Sequence, residues 1–336
     1  MVISGSCTAV TCLVILALMA MHATRLSNPD EQIKVMRICI LLPLYSIFSF
    51  LSICFPNAYV YLEGWTEYFQ GMALYTFLML LCDFLAANDR HRVYFFASLR
   101  IPKRWGHGQT MDGLSWLQKA WFVVLQYPIV AFILAIVECI TQAKGIYCLD
   151  SKDKHFAYFW LNIIQIISVA LAIGAIIQFY SKFNSYMKEH KPLAKLMAFK
   201  LVVGLVFLEK IIFTILHSTN TLKPSAAMSY ADVHIGLPTM IICIQMVPFA
   251  FFFHYAYSTK PYQILSATHL AGSQQCPAVD IATGENGTIY QKGYEGGAVG
   301  VYAWCAFVNP LEILQEIKST WHMLRNAKAE TMHIQM

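Results

Sequence analysis

Seven stretches of the chain are rich in apolar residues and almost free of charge over about 20 positions, the length that a helix needs to cross about 30 Å of hydrocarbon. Backbone groups in lipid must form their hydrogen bonds within the protein, so a helical bundle is the simplest structure for such stretches. We therefore predict an all-α integral membrane protein with a seven-transmembrane-helix bundle. The predicted spans are residues 3–21, 37–55, 69–87, 120–140, 156–179, 196–216 and 235–257.

The basic residues are unevenly distributed among the predicted loops, and this sets the orientation because Lys and Arg accumulate on the cytoplasmic side. The loops after the first, third and fifth helices hold most of the loop Lys and Arg residues. The loop after the second helix, residues 56–68, has neither and carries Glu63 and Glu67. We therefore predict an N-terminus outside, a transmembrane domain over residues 1–262 and a cytosolic tail over residues 263–336.

The composition agrees with a membrane protein and narrows its chemistry. Apolar residues make up 57% of the chain and charged residues 13%, against about 45–50% and about 25% in soluble domains. The net charge of +5 follows from basic loops that suit anionic lipid headgroups, so membrane lipids and no nucleic acid are the expected partners. The ten cysteines lie mainly in the spans and show neither a disulfide framework nor a zinc spacing. No metal and no cofactor are predicted.

The predicted tail has two parts. Residues 267–300 contain Gly and Ser without helical periodicity, and we expect them to be flexible. Asn309, Pro310 and Glu312 then form a helix start signal. An amphipathic helix is predicted at about 309–328, and it either lies on the inner leaflet or packs against the loops of the bundle. A similar signal, Asn28-Pro29, predicts that the second helix begins near Asp30.

Polar residues inside spans are costly in lipid and are candidates for a substrate pathway, although many only join helices. In the fifth helix, Asn162, Gln165 and Ser168 are predicted to share one face. In the sixth, neighbouring Glu209 and Lys210 cannot easily neutralise each other, so one is expected to face the interior while Lys210 extends outward to the membrane surface. The candidate pathway residues are Asp83, Asn162, Gln165, Lys200, Glu209, Lys210, Gln245 and His254.

Four prolines fall inside predicted spans and are expected to bend their helices, because proline lacks the N–H that would bond one turn back. Such kinks serve gating in transporters and also occur as static packing features. The four are Pro43, Pro128, Pro238 and Pro248.

Short motifs recur in a fixed order in four of the predicted helices. The second opens with Pro29-Asp30-Glu31-Gln32 and continues with Leu42-Pro43-Leu44-Tyr45-Ser46. The others are Glu67-Tyr68, Tyr75-Thr76-Phe77 and Asp83-Phe84-Leu85 in the third helix, Pro192, Lys195, Lys200 and Phe207 in the sixth, and Ile242-Cys243-Ile244-Gln245-Met246, His254-Tyr255-Ala256 and Pro261-Tyr262 in the seventh. Over residues 29–262 this ordered set resembles the organic solute transporter alpha subunit and transmembrane protein 184 family.

The resemblance implies a seven-helix protein with its N-terminus outside. It also implies facilitated movement of steroid-derived and other amphipathic organic anions, with a single-span beta subunit as partner. Two positions depart from the family pattern. Gln245 stands where the family usually has an acidic residue, and Asp83 stands where it usually has the longer Glu. The missing charge at Gln245 bears on any mechanism that needs a carboxylate there.

Together these features favour a multi-pass transporter of amphipathic organic solutes and not an enzyme. Lys210 or Lys200 would attract the anionic group, and Asn162, Gln165 and Gln245 would supply neutral hydrogen bonds. The alternative is a seven-helix receptor, suggested by Asp89-Arg90, or a membrane scaffold or trafficking protein without transport activity. Partners beyond the solute and lipid would be a beta subunit or a second copy of the chain. The sequence leaves open a plasma-membrane or an endomembrane location.

Overall fold

The structure is a computed structural model that describes residues 1–86, 89–102, 110–148, 155–187, 192–219, 229, 231–262, 282–283, 289–290, 297 and 300–334. These residues form eleven α-helices and two short antiparallel strand pairs. The helices are α1 (Val2–Thr24), α2 (Pro29–Cys39), α3 (Leu41–Cys54), α4 (Tyr59–Leu85), α5 (Asp89–Ala97), α6 (Gly113–Ala143), α7 (Ala157–Phe183), α8 (Pro192–Ser218), α9 (Leu237–Ala256), α10 (Val301–Val308) and α11 (Pro310–Ile334). The strands are β1 (Arg100–Pro102), β2 (Thr110–Asp112), β3 (Ala282–Thr283) and β4 (Ile289–Tyr290), with β1 paired to β2 and β3 paired to β4.

Six helical segments of the described chain are long and apolar enough to cross a membrane, and each overlaps one predicted span. They are Val2–Thr24, Pro29–Cys54, Pro56–Leu85, Gly113–Ala143, Ala157–Phe183 and Asp232–Ala256. The remaining predicted span, residues 196–216, lies within α8, a 27-residue helix. That helix carries Glu209 and Lys210 well inside it, and its crossing of the membrane stays a prediction.

The third spanning helix is longer than predicted, because the segment 56–68 is not a loop. A 3-10 turn at Pro56–Ala58 leads directly into α4, which begins at Tyr59 and includes Glu63 and Glu67. The two acids lowered the apolar density of this segment. In the structure a lysine from α8 forms salt bridges with both of them, and the helix continues through them.

The segment 90–119, which falls between the third and fourth predicted spans, is also structured where it is described. It contains α5, the β1–β2 pair and the first turns of α6. The side chain of Asp112 accepts a hydrogen bond from the Ser115 amide at 3.3 Å and so caps α6. Phe96 of α5 is fully buried, with its ring centre 5.3 Å from that of Phe183 in α7. These contacts fix α5 to the bundle.

The second predicted span is interrupted at Ile40, between α2 and α3. Pro43 has no N–H, so the Cys39 carbonyl cannot receive the bond that would continue the helix across this point. The start at Pro29 agrees with the Asn28-Pro29 signal.

Pro128 and Pro248 lie inside α6 and α9 as predicted. Pro238 instead occupies the first turn of α9, after a π-helical turn at Asp232–Gly236, where a missing N–H costs little.

The core is built around α4, which packs against α6, α2, α3 and α7, while α9 packs against α1, α3 and α8. Lipid tails are as apolar as leucine, so helices in a membrane associate through close packing and polar contacts more than through burial of apolar surface. Gly71 of α4 illustrates the close packing. A Cβ atom at this position would lie 2.8 Å from the Pro128 Cα of α6, so the two backbones are in direct contact.

Substitution of Gly71 by alanine should therefore separate α4 from α6 and lower the free energy of unfolding by about 1–2 kcal/mol, as overpacking does in tight cores. The matched control is Gly174→Ala on α7, where an added Cβ meets no atom within 4 Å. There the better helix propensity of alanine should leave stability equal or slightly higher. Thermal unfolding in detergent measures both, and equal effects at the two glycines would contradict the close contact.

Helices α10 and α11 pack against one end of the bundle. We call this end of the bundle the tail end. Gly300, with a φ of 77°, lies against the last turn of α1, and a Cβ there would be 2.6 Å from the Ala23 carbonyl oxygen. The start signal lies at the beginning of α11, where the Asn309 side chain accepts from the Leu311 amide at 3.1 Å. The Trp321 ring lies 5.3 Å from the Phe122 ring of α6, so α11 packs against the bundle. The predicted flexible segment 267–300 lies almost entirely outside the described residues.

Candidate intramembrane site

Lys210 of α8 lies between two glutamates of α4, and we call this group the Lys210 cluster. Its ammonium nitrogen is 2.5 Å from Glu67 Oε1 and 2.9 Å from Glu63 Oε1. Glu63 and Glu67 are one helical turn apart, so both carboxylates face the same neighbour. The extension of Lys210 outward to the membrane surface stays a prediction; in the structure its side chain is partly exposed and its ammonium group contacts these two carboxylates.

Glu67 is held in place by neutral donors from two further helices. Its Oε2 atom accepts from the Tyr127 hydroxyl of α6 and from the Gln165 amide of α7, each at 3.0 Å. The Gln70 amide donates to the Tyr127 oxygen at 2.6 Å, and the Tyr45 hydroxyl donates to the Gln70 carbonyl oxygen. The network therefore connects α3, α4, α6, α7 and α8 through one carboxylate.

The Lys210 cluster lies away from the start of α4 and is partly exposed at the surface of the bundle. Glu67 is eight residues from the start of α4, which corresponds to about 12 Å along the helix axis at about 1.5 Å per residue. The exposed fractions of the side chains are 41% for Lys210, 22% for Glu63 and 18% for Glu67. An ion pair at this depth is costly unless it is well bonded, and its accessibility marks it as a candidate binding site.

Glu209, the neighbour of Lys210, faces a different helix. Its Oε2 atom accepts from the Gln245 amide of α9 at 2.9 Å, whereas its Oε1 atom is buried without a hydrogen-bond partner among the described residues. The two neighbours thus have separate partners, because adjacent side chains on a helix point about 100° apart. Gln245, where the family pattern favours an acid, here supplies a donor to the carboxylate of α8.

The three polar residues of the fifth predicted helix do not share one face. Gln165 bonds to Glu67, and Ser168 donates from its hydroxyl to the Gln126 side chain at 2.8 Å. Asn162 is exposed. A step of three residues turns about 300° on a helix, so the first and last of three such positions lie about 120° apart. The prediction is therefore wrong for Asn162, while Gln165 and Ser168 take part in contacts between helices.

A second ionic group lies at the tail end, and we call it the tail-end cluster. Asp83 accepts from Lys34 of α2 at 2.5 Å and from Arg92 of α5 at 2.8 Å. Lys34 also lies 3.0 Å from Glu316 of α11. One turn away, Arg37 lies 3.0 Å from Glu312. The predicted pathway residue Asp83 thus joins α2, α4 and α5, and the tail helix adds two more carboxylates.

The remaining predicted pathway residues belong to neither cluster. Lys200 and His254 are exposed on α8 and α9.

Beyond the last span, the Tyr262 hydroxyl donates to Glu31 of α2 at 2.8 Å. Burial, together with the nearby charge of Glu31, raises the pKa of Tyr262 above its usual value, so the hydroxyl keeps its proton at neutral pH. This bond ties the end of the bundle domain to α2.

The sequence analysis missed several residues of the two clusters. Glu63 and Glu67 were placed in a loop, and Tyr127, Lys34 and Arg92 were not predicted as site residues. The four-residue spacing of the two glutamates was the available signal, since it places both on one side of a helix. In the described residues, no group of three or more His, Cys, Asp and Glu side chains is arranged to hold a metal ion.

The spanning helices and the ionic clusters between them define an all-α, multi-pass integral membrane protein. The sequence profile of the organic solute transporter Ostalpha family matches residues 1–262, and the chain belongs to this family. The resemblance noted in four helices is thereby confirmed. The family is one of transporters and not of enzymes.

A transmembrane protein 184 homolog from Dictyostelium discoideum is 26% identical to this chain over 259 residues. The aligned region covers 75% of this chain and 51% of that relative, so the chain spans about half the length of the relative. No solved structure matches the chain. The family match ends at Tyr262, directly after the last spanning helix, and so leaves α10 and α11 outside it.

Proposed function

We propose that the chain moves amphipathic organic solutes, sterol-derived or other organic anions, across a membrane by facilitated transport. The proposal includes seven spanning helices, with α8 as the sixth, an N-terminus outside and the tail end in the cytosol. Family membership supports this proposal, and the Lys210 cluster is the observation on which it mainly rests. A partly exposed lysine within a spanning bundle, beside carboxylates and neutral donors, is a suitable group for transient contact with an anion.

The charge of the cluster sets how an anion could bind there. Lys210 contributes +1, and Glu63 and Glu67 together contribute −2, so an empty site holds no unpaired cation. An incoming anion must therefore take the place of one carboxylate on Lys210. Glu67 has Tyr127 and Gln165 as further donors and is the better held of the two acids. We propose that Glu63 gives way, which makes binding an exchange of partners.

Uptake into liposomes tests the proposal. The purified chain is reconstituted alone, and uptake of a radiolabelled sterol sulfate is compared with uptake by empty liposomes. Saturable uptake is the expected result. A triple variant, Lys210→Met with Glu63→Gln and Glu67→Gln, removes the three charges together and should lower the initial rate at least about tenfold, the loss of about 1.4 kcal/mol of favourable interaction.

The matched control is Lys119→Met, which removes an exposed lysine from α6 outside both clusters. This variant should keep the uptake of the unsubstituted chain. Folded protein is verified for every variant by gel filtration and thermal unfolding. Uptake that persists in the triple variant would contradict a path through the Lys210 cluster. Absence of uptake by the folded chain, both alone and with a candidate beta subunit or at densities that favour a second copy, would favour a receptor or scaffold instead.

A further inference from the structure

Helix α10 runs from the tail end of the bundle inward, alongside a spanning segment. Gly300, directly before α10, lies against Ala23 in the last turn of α1. The Ala306 carbonyl, near the other end of α10, accepts from Arg37, which lies eight residues after the start of α2. α10 therefore follows the spanning segment Pro29–Cys54 in the direction that leads into the bundle.

Helix α11 returns in the opposite direction along the same segment. Glu312 lies 3.0 Å from Arg37. Glu316, one turn further along α11, lies 3.0 Å from Lys34, which precedes Arg37 by three residues. The partners on α2 thus occur in reversed order, and α10 and α11 form a helical hairpin. The junction of the two helices, residues 307–311, is the deepest described part of this hairpin, and we call it the hairpin tip.

The hairpin tip lies at the level of the apolar part of the spanning helices. Residues 307–310 line one cavity together with residues of α3 and α4. The lining residue of α4 closest to the tail end is Thr76, nine residues before the end of α4, or about 14 Å at about 1.5 Å per residue. On α3 it is Leu41, twelve residues after Pro29, or about 18 Å. Half of a hydrocarbon core measures about 15 Å.

The tip and the two helices beside it present apolar side chains that no described part of the chain covers. The exposed fraction is 71% for Val308, 60% for Leu311 and 59% for Leu314. Val301 and Tyr302 of α10 are also more than half exposed. Residues 301–311 contain no Asp, Glu, Lys or Arg. An exposed apolar surface of this kind marks contact with a protein or a membrane.

The backbone of the tip is suited to a medium without water, in which unbonded polar groups are costly. The Asn309 N–H donates to the Cys305 carbonyl at 3.1 Å. Pro310 has no N–H, and the Leu311 N–H donates to the Asn309 side chain at 3.1 Å. These groups of the turn are therefore satisfied within the chain.

The charges of α11 are distributed as at a membrane surface. Glu312 and Glu316 are both paired with cations of α2. Among the side chains of α11 that are described, the exposed Lys and Arg are Lys318 and Arg325. They follow Leu311 by seven and fourteen residues, or about 10 and 21 Å along the helix. Cations at this distance from a buried tip suit the headgroup level.

We propose that the α10–α11 hairpin enters the leaflet at the tail end as a re-entrant hairpin. Its tip contacts lipid acyl chains, and Lys318 and Arg325 lie among the headgroups. Lipid is favoured over a protein as the occupant because the tip lies at the depth of the spanning helices and its exposed side chains continue their apolar surface. The hairpin lies outside the family match, so insertion would be an addition to the family domain. The proposal depends neither on transport nor on which leaflet is cytosolic.

Photocrosslinking of the full chain in nanodiscs of palmitoyl-oleoyl phosphatidylcholine tests the contact. Benzoylphenylalanine is incorporated at Val308, at Ile133, which is exposed within the spanning helix α6, and at His322, which is exposed further along α11. Mass spectrometry then locates the adducts. Val308 should form acyl-chain adducts as Ile133 does, and His322 should form none.

Each other result would overturn the proposal. Crosslinks from Val308 to a second copy of the chain would mean that a protein covers the tip. Absence of acyl-chain adducts at Val308 would place the tip in water. Equal adducts at Val308 and His322 would show that the crosslinker does not report depth. Sterol sulfate uptake is measured separately, so failure here leaves the proposed transport function untouched.

A charge at the tip provides a second test. Val308→Asp should loosen the hairpin in nanodiscs, because a carboxylate in hydrocarbon is costly. Hydrogen exchange of residues 301–311 should become at least about tenfold faster, which corresponds to about 1.4 kcal/mol. His322→Asp on α11 and Val308→Leu, which keeps the tip apolar, should leave the exchange unchanged. Since Val308 makes few contacts within the chain, equal exchange in Val308→Asp and His322→Asp would mean that the tip is in water.

Discussion

Replacement of Asp83 by alanine is expected to lower the free energy of unfolding by about 3–5 kcal/mol, the cost of breaking a buried ion pair on one side. Asp83 accepts from both Lys34 and Arg92, and its side chain is only 5% exposed. Without the carboxylate, two cations remain close together in a region of low dielectric constant, and Lys34 keeps Glu316 as a second acid. Thermal unfolding of the purified protein in detergent measures the loss.

Two further variants separate this effect from the general consequence of removing an acid. Asp83→Asn keeps the shape and an acceptor oxygen, so its loss should be intermediate. Asp30→Ala removes an exposed carboxylate from the first turn of α2 and should cost no more than about 1 kcal/mol. Similar losses for Asp83→Ala and Asp30→Ala would mean that Asp83 is not the centre of the tail-end cluster.

Replacement of Lys210 by methionine is expected to lower the free energy of unfolding by about 2 kcal/mol, less than for a fully buried pair because 41% of the lysine side chain is exposed. The loss arises from Glu63 and Glu67, whose charges remain four residues apart without a cation. The same substitution should lower the initial uptake rate at least about tenfold in the liposome assay. Thermal unfolding and initial uptake rates measure the two effects independently.

When the two acids are neutralised as well, stability should recover while transport should not. Adding Glu63→Gln and Glu67→Gln to Lys210→Met should restore most of the lost stability, since a neutral polar set has no unpaired charge to desolvate. The initial uptake rate should stay at least about tenfold lower, because the anion then has no cation to bind. A triple variant that is as unstable as Lys210→Met would show that the lysine acts through packing and not through its charge.

The hydrophobic pattern was sufficient to locate the spanning helices, because each helix in lipid satisfies its own backbone hydrogen bonds and must be long and apolar. The pattern failed at segment 56–68, where Glu63 and Glu67 lower the apolar density. A carboxylate in a helix is tolerated when a cation on another helix faces it, and Lys210 is 143 residues away from Glu67 in the chain. Spacing along a sequence does not encode such a partner.

The site residues also divide into those that could be identified from the sequence and those that could not. Lys210, Glu209, Gln165 and Gln245 were identifiable because each is a polar residue in an apolar helix, and all four have hydrogen-bond partners on other helices. Their partners were not identifiable, since they depend on how the helices rotate against one another. Tyr127 shows this most clearly. An aromatic residue in a span is usually apolar lining or an interface anchor, yet its hydroxyl here joins Glu67 to Gln70.

The two ion pairs between α2 and α11 impose an order on biosynthesis. Arg37 lies in the second spanning segment, and its partner Glu312 is 275 residues further along the chain. A ribosome therefore delivers Arg37 and Lys34 to the bilayer long before Glu312 and Glu316 are made. Early in synthesis these cations depend on Asp83, lipid headgroups or water. The two ion pairs can therefore form only after α11 has been translated.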